Sequence, residues 1–159
     1  MKIQAHGISS DLPEGWEARI SLRPTPTGSD TAIGNKGEIP NPTVHLANFA
    51  LPEQRGDFGS GAVDVMGADN VLLVLFEYGP EAVGTALFER KGLPTELTPN
   101  MFSSSALQRT LPGQAGCQIF FTEGNRAFCL YAVLGQQSSA ARVLPGANAA
   151  LAGTRIAPR

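Results

Sequence analysis

Charge is scarce in this chain. Only 16% of its 159 residues are Asp, Glu, Lys or Arg, against roughly 25% in an average soluble domain. The surface is therefore expected to be rather apolar or to meet a partner. Neither sign dominates: the net charge is −2, which offers no basic field to nucleic acid or to an anionic membrane. Long hydrophobic runs are also missing, and nothing approaches the roughly 20 apolar residues of a membrane span. The first ten residues, MKIQAHGISS, carry one Lys but no apolar stretch of the kind a signal peptide needs. A cytoplasmic location is the expectation.

The residues that carry chemistry are few and scattered. There are two histidines, His6 and His45, and two cysteines, Cys117 and Cys129. None stands at a CxxC, HxxxH or HxH spacing, so no metal is expected, and nothing in the chain asks for another cofactor. Gly59-Ser60-Gly61 resembles part of a nucleophile elbow, but Phe58 and Ala62 stand where GxSxG has glycines. The same glycine-rich stretch from Gly56 lacks both GxGxxG and a nearby Lys, which argues against a phosphate cradle. Nucleophilic catalysis needs Ser or Cys beside His and an orienting acid, and no such set is visible.

What the chain does have is turns and short apolar strands. Gly and Pro number 18 and 12. Residues 2–9 (KIQAHGIS) alternate weakly and suit an edge strand. Trp16 to Leu22 (WEARISL) alternates clearly, with Trp16, Ala18, Ile20 and Leu22 inward, and is expected to pair with that first strand. Residues 23–42 hold four prolines and three glycines, which predicts a long, mobile loop. Thr43 to Leu51 is a third strand. Ser60 is a candidate cap for a helical turn over Gly61 to Met66. Val71 to Tyr78 (VLLVLFEY) is the most hydrophobic run and reads as a buried central strand ending near Glu77. Pro80 starts a short helix, and Ser105 to Leu111 is a candidate strand.

The strongest pattern lies at 116–134, GCQIFFTEGNRAFCLYAVL. Two β-rich runs flank Glu123-Gly124-Asn125-Arg126, and Gly and Asn tolerate the positive φ of a tight hairpin turn. The second run is apolar on both faces, the mark of a strand covered on two sides. If Gly124-Asn125 is a two-residue turn, Phe120 faces Cys129 and Cys117 points to the opposite face, so the thiols stay apart. A three-residue turn would put both on one face. Beyond the hairpin, Val143, Leu144, Ala147, Ala150 and Leu151 recur at helical spacing. Pro145 should kink or divide that helix, Gly153 should end it, and Thr154-Arg155-Ile156 extends beyond.

Strands followed by one terminal helix predict an α+β domain over 1–159 with a largely antiparallel central sheet. The helix would cover one face, and the short helices and loops of 52–67 and 80–105 the other. This order of elements, with an early hairpin around LPEGWEARI, the hairpin QIFFTEGNRAFCLYAVL and a terminal helix ending near TRI, resembles the PsbP/Mog1-like α/β/α sandwich. The resemblance spans most of the chain and implies a non-catalytic binding or assembly module. One protein of that fold supports the oxygen-evolving photosystem, and another binds a small GTPase in nuclear transport. The chain is also similar to bacterial proteins of like length.

The expectation is thus a module that binds a protein partner or itself. The alternative is a small-molecule or catalytic domain with a pocket between the sheet and segments 52–67 and 80–105. His45, Asp57, Phe58, Glu77 and Arg126 are the candidate binding residues. Glu77 stands out because a carboxylate closing an apolar strand must reach water or find a partner, and Arg126 and Arg109 are the candidates. Phe49, Phe58 and Phe102 are candidate exposed rings. A closed pocket with converging polar groups would favour the alternative, and a flat apolar patch the binding module.

Overall fold

The computed structural model describes residues 1–22, 41–54, 56 and 58–159. Most of the 23–42 loop and Asp57 lie outside the described residues. Among the described residues eight strands form two antiparallel sheets, so the architecture is α+β and antiparallel as expected, but the sheet is not single. The smaller sheet joins β1 (Lys2–Ala5), β2 (Ile8–Asp11) and β8 (Thr154–Ile156), with β2 in the middle. The expected first strand is therefore a hairpin. Its turn is His6-Gly7, with φ of 52° and 77°, the positive pair that a two-residue hairpin turn requires.

The larger sheet runs in the order β3 (Glu17–Leu22), β4 (Pro42–Ala47), β5 (Val71–Glu77), β7 (Arg126–Leu134), β6 (Ala115–Glu123). The expected pairing of residues 16–22 with the first strand is corrected: β3 pairs with β4, and the first hairpin takes the C-terminal strand instead. Trp16 and Ala18 are buried as the alternation requires, but Leu22, at the sheet rim, is 42% exposed. The central hairpin closes in the two-residue register, with Glu123 opposite Arg126 and Phe120 opposite Cys129. Gly124 and Asn125 have φ of 60° and 62°. Neither cysteine is in a disulfide, and both are buried.

Strand alternation divides the larger sheet into two faces. Val44, Leu46, Val71, Leu73, Leu75, Phe121, Phe128, Leu130, Ala132 and Leu134 belong to one core. Over it lies the helix α2 (Ala140–Ala152), through Leu144, Ala147, Ala150 and Leu151. Ile8 and Ile156 of the small sheet complete the cover. α2 continues unbroken through Pro145. Proline forfeits only one backbone donor there, and the burial of the apolar stripe outweighs that loss. The other face carries Ala47, Leu72, Val74, Cys129, Tyr131 and Val133, covered by Leu51, Phe58, Ala62, Val63, Leu107 and Leu111. The short helix α1 (Ser60–Val63) supplies two of these. Its cap is Gly59, with Ser60 already inside the helix, so Ser60 is not the cap expected.

Two expectations about the connections are corrected. Residues 105–111 form no strand; a 3₁₀ turn (Ser104–Ala106) precedes irregular chain. The 80–105 segment also does not stay on one face. Phe88 joins the aromatic side, whereas Leu97 and Phe102 pack under α2. Between them the chain runs along the β6 edge: Thr122 pairs with Arg90 and Gly92, and Ser103 with Gly116 in both directions at 2.9 Å. Those bonds occupy backbone groups that an open edge would offer to another chain.

Candidate functional site

Glu77 ends β5 and Arg126 begins β7, on the side of the sheet that faces α2 and the small sheet. They are 1% and 2% exposed and form a two-pronged ion pair: Nη2 donates to Oε1 at 2.7 Å and Nε to Oε2 at 3.1 Å. Arg159 Nη1 donates to the same Oε2 at 2.8 Å. Arg126 also reaches two main-chain carbonyls, Ala157 at 3.2 Å and His6 at 3.0 Å, and lies over the Phe128 ring. A planar guanidinium with five donors can hold such a set together. One side chain thereby ties the turn of the first hairpin and the C-terminal tail to the end of the larger sheet. Gly7 makes room for it: a Cβ there would lie 2.6 Å from Arg126 Nη1. The candidate partner Arg109 instead pairs with Asp64 at the surface.

The opposite face of the sheet is aromatic. Phe58 stacks on Phe76 at 4.6 Å and meets Tyr131 edge-on at 5.9 Å. Phe76 meets Tyr78 at 5.1 Å, and Tyr78 meets Phe88 at 5.1 Å and Phe120 at 6.4 Å. Phe58, Phe76, Tyr78 and Phe120 are half-buried, while Phe88 and Tyr131 are buried. The Tyr131 hydroxyl accepts from the Gln108 N–H at 2.9 Å. Burial raises its pKa, an effect that hydrogen bond opposes. Burial likewise raises the Cys117 thiol, and pushes Cys129 from an ordinary 9.0 up to about 12, with Cys117 adding to the shift. Thiols held neutral in this way are poor nucleophiles and poor metal ligands.

His45 is buried on this aromatic face, beside Gly59. It therefore does not converge with Glu77 and Arg126, which lie on the other side of the sheet. Phe58 joins His45's side, and Asp57 is outside the described residues. The five candidates divide between two places. Of the candidate exposed rings, Phe49 and Phe58 are half-buried, but Phe102 is buried under α2. Phe76, Tyr78 and Phe120 were missed. Their signal was present as aromatic residues at alternate strand positions, but it needed the strand register to bring 76, 78 and 120 together.

A third feature has no counterpart in the sequence expectations. Residues 110–114, 136–138 and Ser104 bound an open cleft of 540 Å³. Its polar lining is neutral: Gln114, Gln136, Gln137, Thr110 and two serines. Gln114 is 6% exposed and donates from Nε2 to the Val63 carbonyl at 3.0 Å; its Oε1 is buried without a hydrogen-bond partner. By contrast, the cavity beneath Phe58, Ser60 and Tyr131 measures only 20 Å³, about the room for one water.

Among the described residues no cluster of three or more His, Cys, Asp or Glu could hold a metal ion, and no helix is long and apolar enough to cross a membrane. The chain matches no family model, and no curated protein or solved structure is significantly similar to it.

Proposed function

We propose that this protein acts by binding a polypeptide partner through the aromatic face of its larger sheet. The observation that carries this reading is the connected row Phe58, Phe76, Tyr78 and Phe120, four half-buried rings in mutual contact. Rigid aromatic rings bury much area for little conformational entropy, and interface cores are enriched in them and poor in charge. The low charge content of the chain agrees with such a surface. The resemblance to PsbP/Mog1-like proteins points to the same class of activity. The converging polar pocket of the alternative reading finds no support in the split between His45 and the Glu77–Arg126 pair.

The test is a paired affinity capture with wild-type protein and a Phe58→Ser/Phe120→Ser variant, both first verified as folded by circular dichroism. The reading requires a polypeptide held by the wild type and reduced at least about tenfold by the variant, as expected for aromatic anchors. Equal retention by the two proteins overturns it. Sedimentation of the wild type alone identifies the case in which the bound polypeptide is a second copy of the chain.

A further inference from the structure

A strand turns its backbone groups to its two neighbours alternately, so the pairing of β6 on one side fixes which residues face the other. Its register with β7 is unbroken from Ala115 to Glu123. Gly116 and Thr122 both bond away from β7: Gly116 exchanges two bonds with Ser103, and Thr122 meets Arg90 at 2.8 Å and Gly92 at 2.9 Å. The alternation therefore turns Gln118 and Phe120 outward as well. The N–H and C=O groups of these two residues have no hydrogen-bond partner among the described residues. The four groups are consecutive along the edge and span about 10 Å at the rise of a strand.

Exposure follows the same line. Cys117 and Phe121 are buried, but Gln118 between them is exposed, and Ile119 and Phe120 are half-buried. The middle of this strand is thus more open than its flanks, because the covering chain leaves the edge after Gly92 and returns at Ser103. Other sheet edges are guarded. On β3 the Arg19 side chain donates to the Ala18 carbonyl at 2.9 Å, and β1 is rimmed by exposed Lys2 and Gln4. Such side chains discourage strand addition. The gap in β6 carries no charged side chain.

Alternating donors and acceptors at strand spacing are matched by the main chain of another extended polypeptide. The side chains beside the gap add a preference. Phe120 lies on the aromatic face, 5.6 Å from the Phe88 ring, and Ile119 packs against the core under α2. Successive side chains of an added strand point to opposite faces, so one would lie beside Phe120 and the next beside Ile119. Both positions favour apolar or β-branched residues.

We propose that the middle of β6 docks a short extended segment of a partner polypeptide, which joins the larger sheet through main-chain hydrogen bonds to Gln118 and Phe120. The proposal rests on the reading of the aromatic face as a polypeptide-binding surface, since Phe120 belongs to both, and it states how the partner's backbone is held. The occupied flanks limit the paired stretch to about three residues.

The experiment combines amide exchange with a titration of ¹⁵N-labelled protein by N-acetyl-Thr-Val-Thr-Val-Thr-amide, a neutral β-prone peptide. In the free protein the Gln118 and Phe120 amides should exchange at least about a hundredfold faster than those of Ile119 and Phe121, which bond to β7. The peptide should shift the Gln118 and Phe120 signals, with a dissociation constant in the millimolar range. A counterpart with every peptide nitrogen methylated should bind about tenfold more weakly. Gln118→Pro removes an outward donor without touching the β7 ladder, a placement that an edge strand tolerates. It should weaken binding about tenfold, whereas Gln118→Ala, which keeps the main-chain donor, should bind like the wild type. If Gln118→Pro does not fold, the exchange rates and the methylated peptide decide. Slow exchange at Gln118 and Phe120, absence of shifts, equal binding of the two peptides, or equal losses in the two variants overturns the proposal. Shifts confined to the Phe58 and Phe76 region overturn it too, while leaving the aromatic-face reading intact. That reading falls only if the Phe58→Ser/Phe120→Ser variant keeps its partner.

Discussion

The two faces of the larger sheet are built from the same strands and covered in different ways. Under α2 the contacts are mostly aliphatic, nearly every side chain is fully buried, and the buried carboxylate of Glu77 is matched by two arginines. On the other face the cover is a short helix and irregular chain, the rings of Phe58, Phe76, Tyr78 and Phe120 are only half-buried, and polar His45 and Tyr131 are set among apolar neighbours. A regular helix can seal a sheet because its stripe repeats in register with the strands below. Short turns cover in patches and leave ring area to water. One face thus supplies most of the stability, and the other retains surface for a partner.

The contrast can be broken most severely at its stable side. Leu130→Asp sets an unpaired carboxylate on a strand buried on both faces, and should cost more than about 4 kcal/mol, enough to unfold the chain. A variant with an unchanged melting temperature would remove β7 from the core. Arg126→Ala comes next. It leaves Glu77 with Arg159 alone and two carbonyls without donors, and a loss of about 3–5 kcal/mol is expected in urea unfolding. Truncation of the Arg159 side chain should cost much less, because it is partly exposed. Equal losses would mean that the tail, and not Arg126, organises the cluster.

The aromatic face gives smaller effects. Cys129 is neutral in the fold until about pH 12, whereas an ordinary thiol ionises near 9.0. The folded pKa is the higher one, so its contribution to stability is complete below pH 9 and is lost as pH rises toward 12, amounting to a few kcal/mol. Cys129→Ala should flatten that alkaline decline in a pH series of unfolding curves. In the wild-type protein, a disulfide exchange reagent at pH 8 should modify neither thiol until denaturant is added. Phe120→Ala should cost only about 1–2 kcal/mol, since part of its ring area is already in water. A loss as large as that of a fully buried ring would close this face as a binding surface.

Several features could be read from local pattern. The central hairpin, its two-residue turn and the opposite orientation of the cysteines follow from period-2 alternation around Gly124-Asn125, and the structure has that register. The burial of β5 and the stripe of α2 follow from strand and helix periodicity. Glu77 was singled out because a charge at the end of an apolar strand needs a partner, and one of its two candidate arginines is that partner. Residues 105–111 misled because alternation over a few residues occurs in irregular chain as well. Phe102 misled because a ring after two proline breaks has no period to assign it an inside or an outside. Pro145 does not divide the helix, because the packing of its apolar stripe outweighs the lost backbone donor. As for the cleft, glutamines from 114 and 136–137 carry no motif at all.

By itself, then, the amino-acid order determined the strands of the central hairpin and of β5, where the main turn falls, and which of their positions are apolar. Those properties depend on neighbours two to four residues apart. Only the tertiary structure decided that the first hairpin pairs with the last strand, that β7 lies between β5 and β6, and that Glu77 meets Arg126 and Arg159, 49 and 82 residues along the chain. It alone assembled rings from positions 58, 76, 78 and 120 into one surface. Such contacts are chosen by the competition among all possible strand pairings for burial of apolar area, and no local periodicity encodes the outcome.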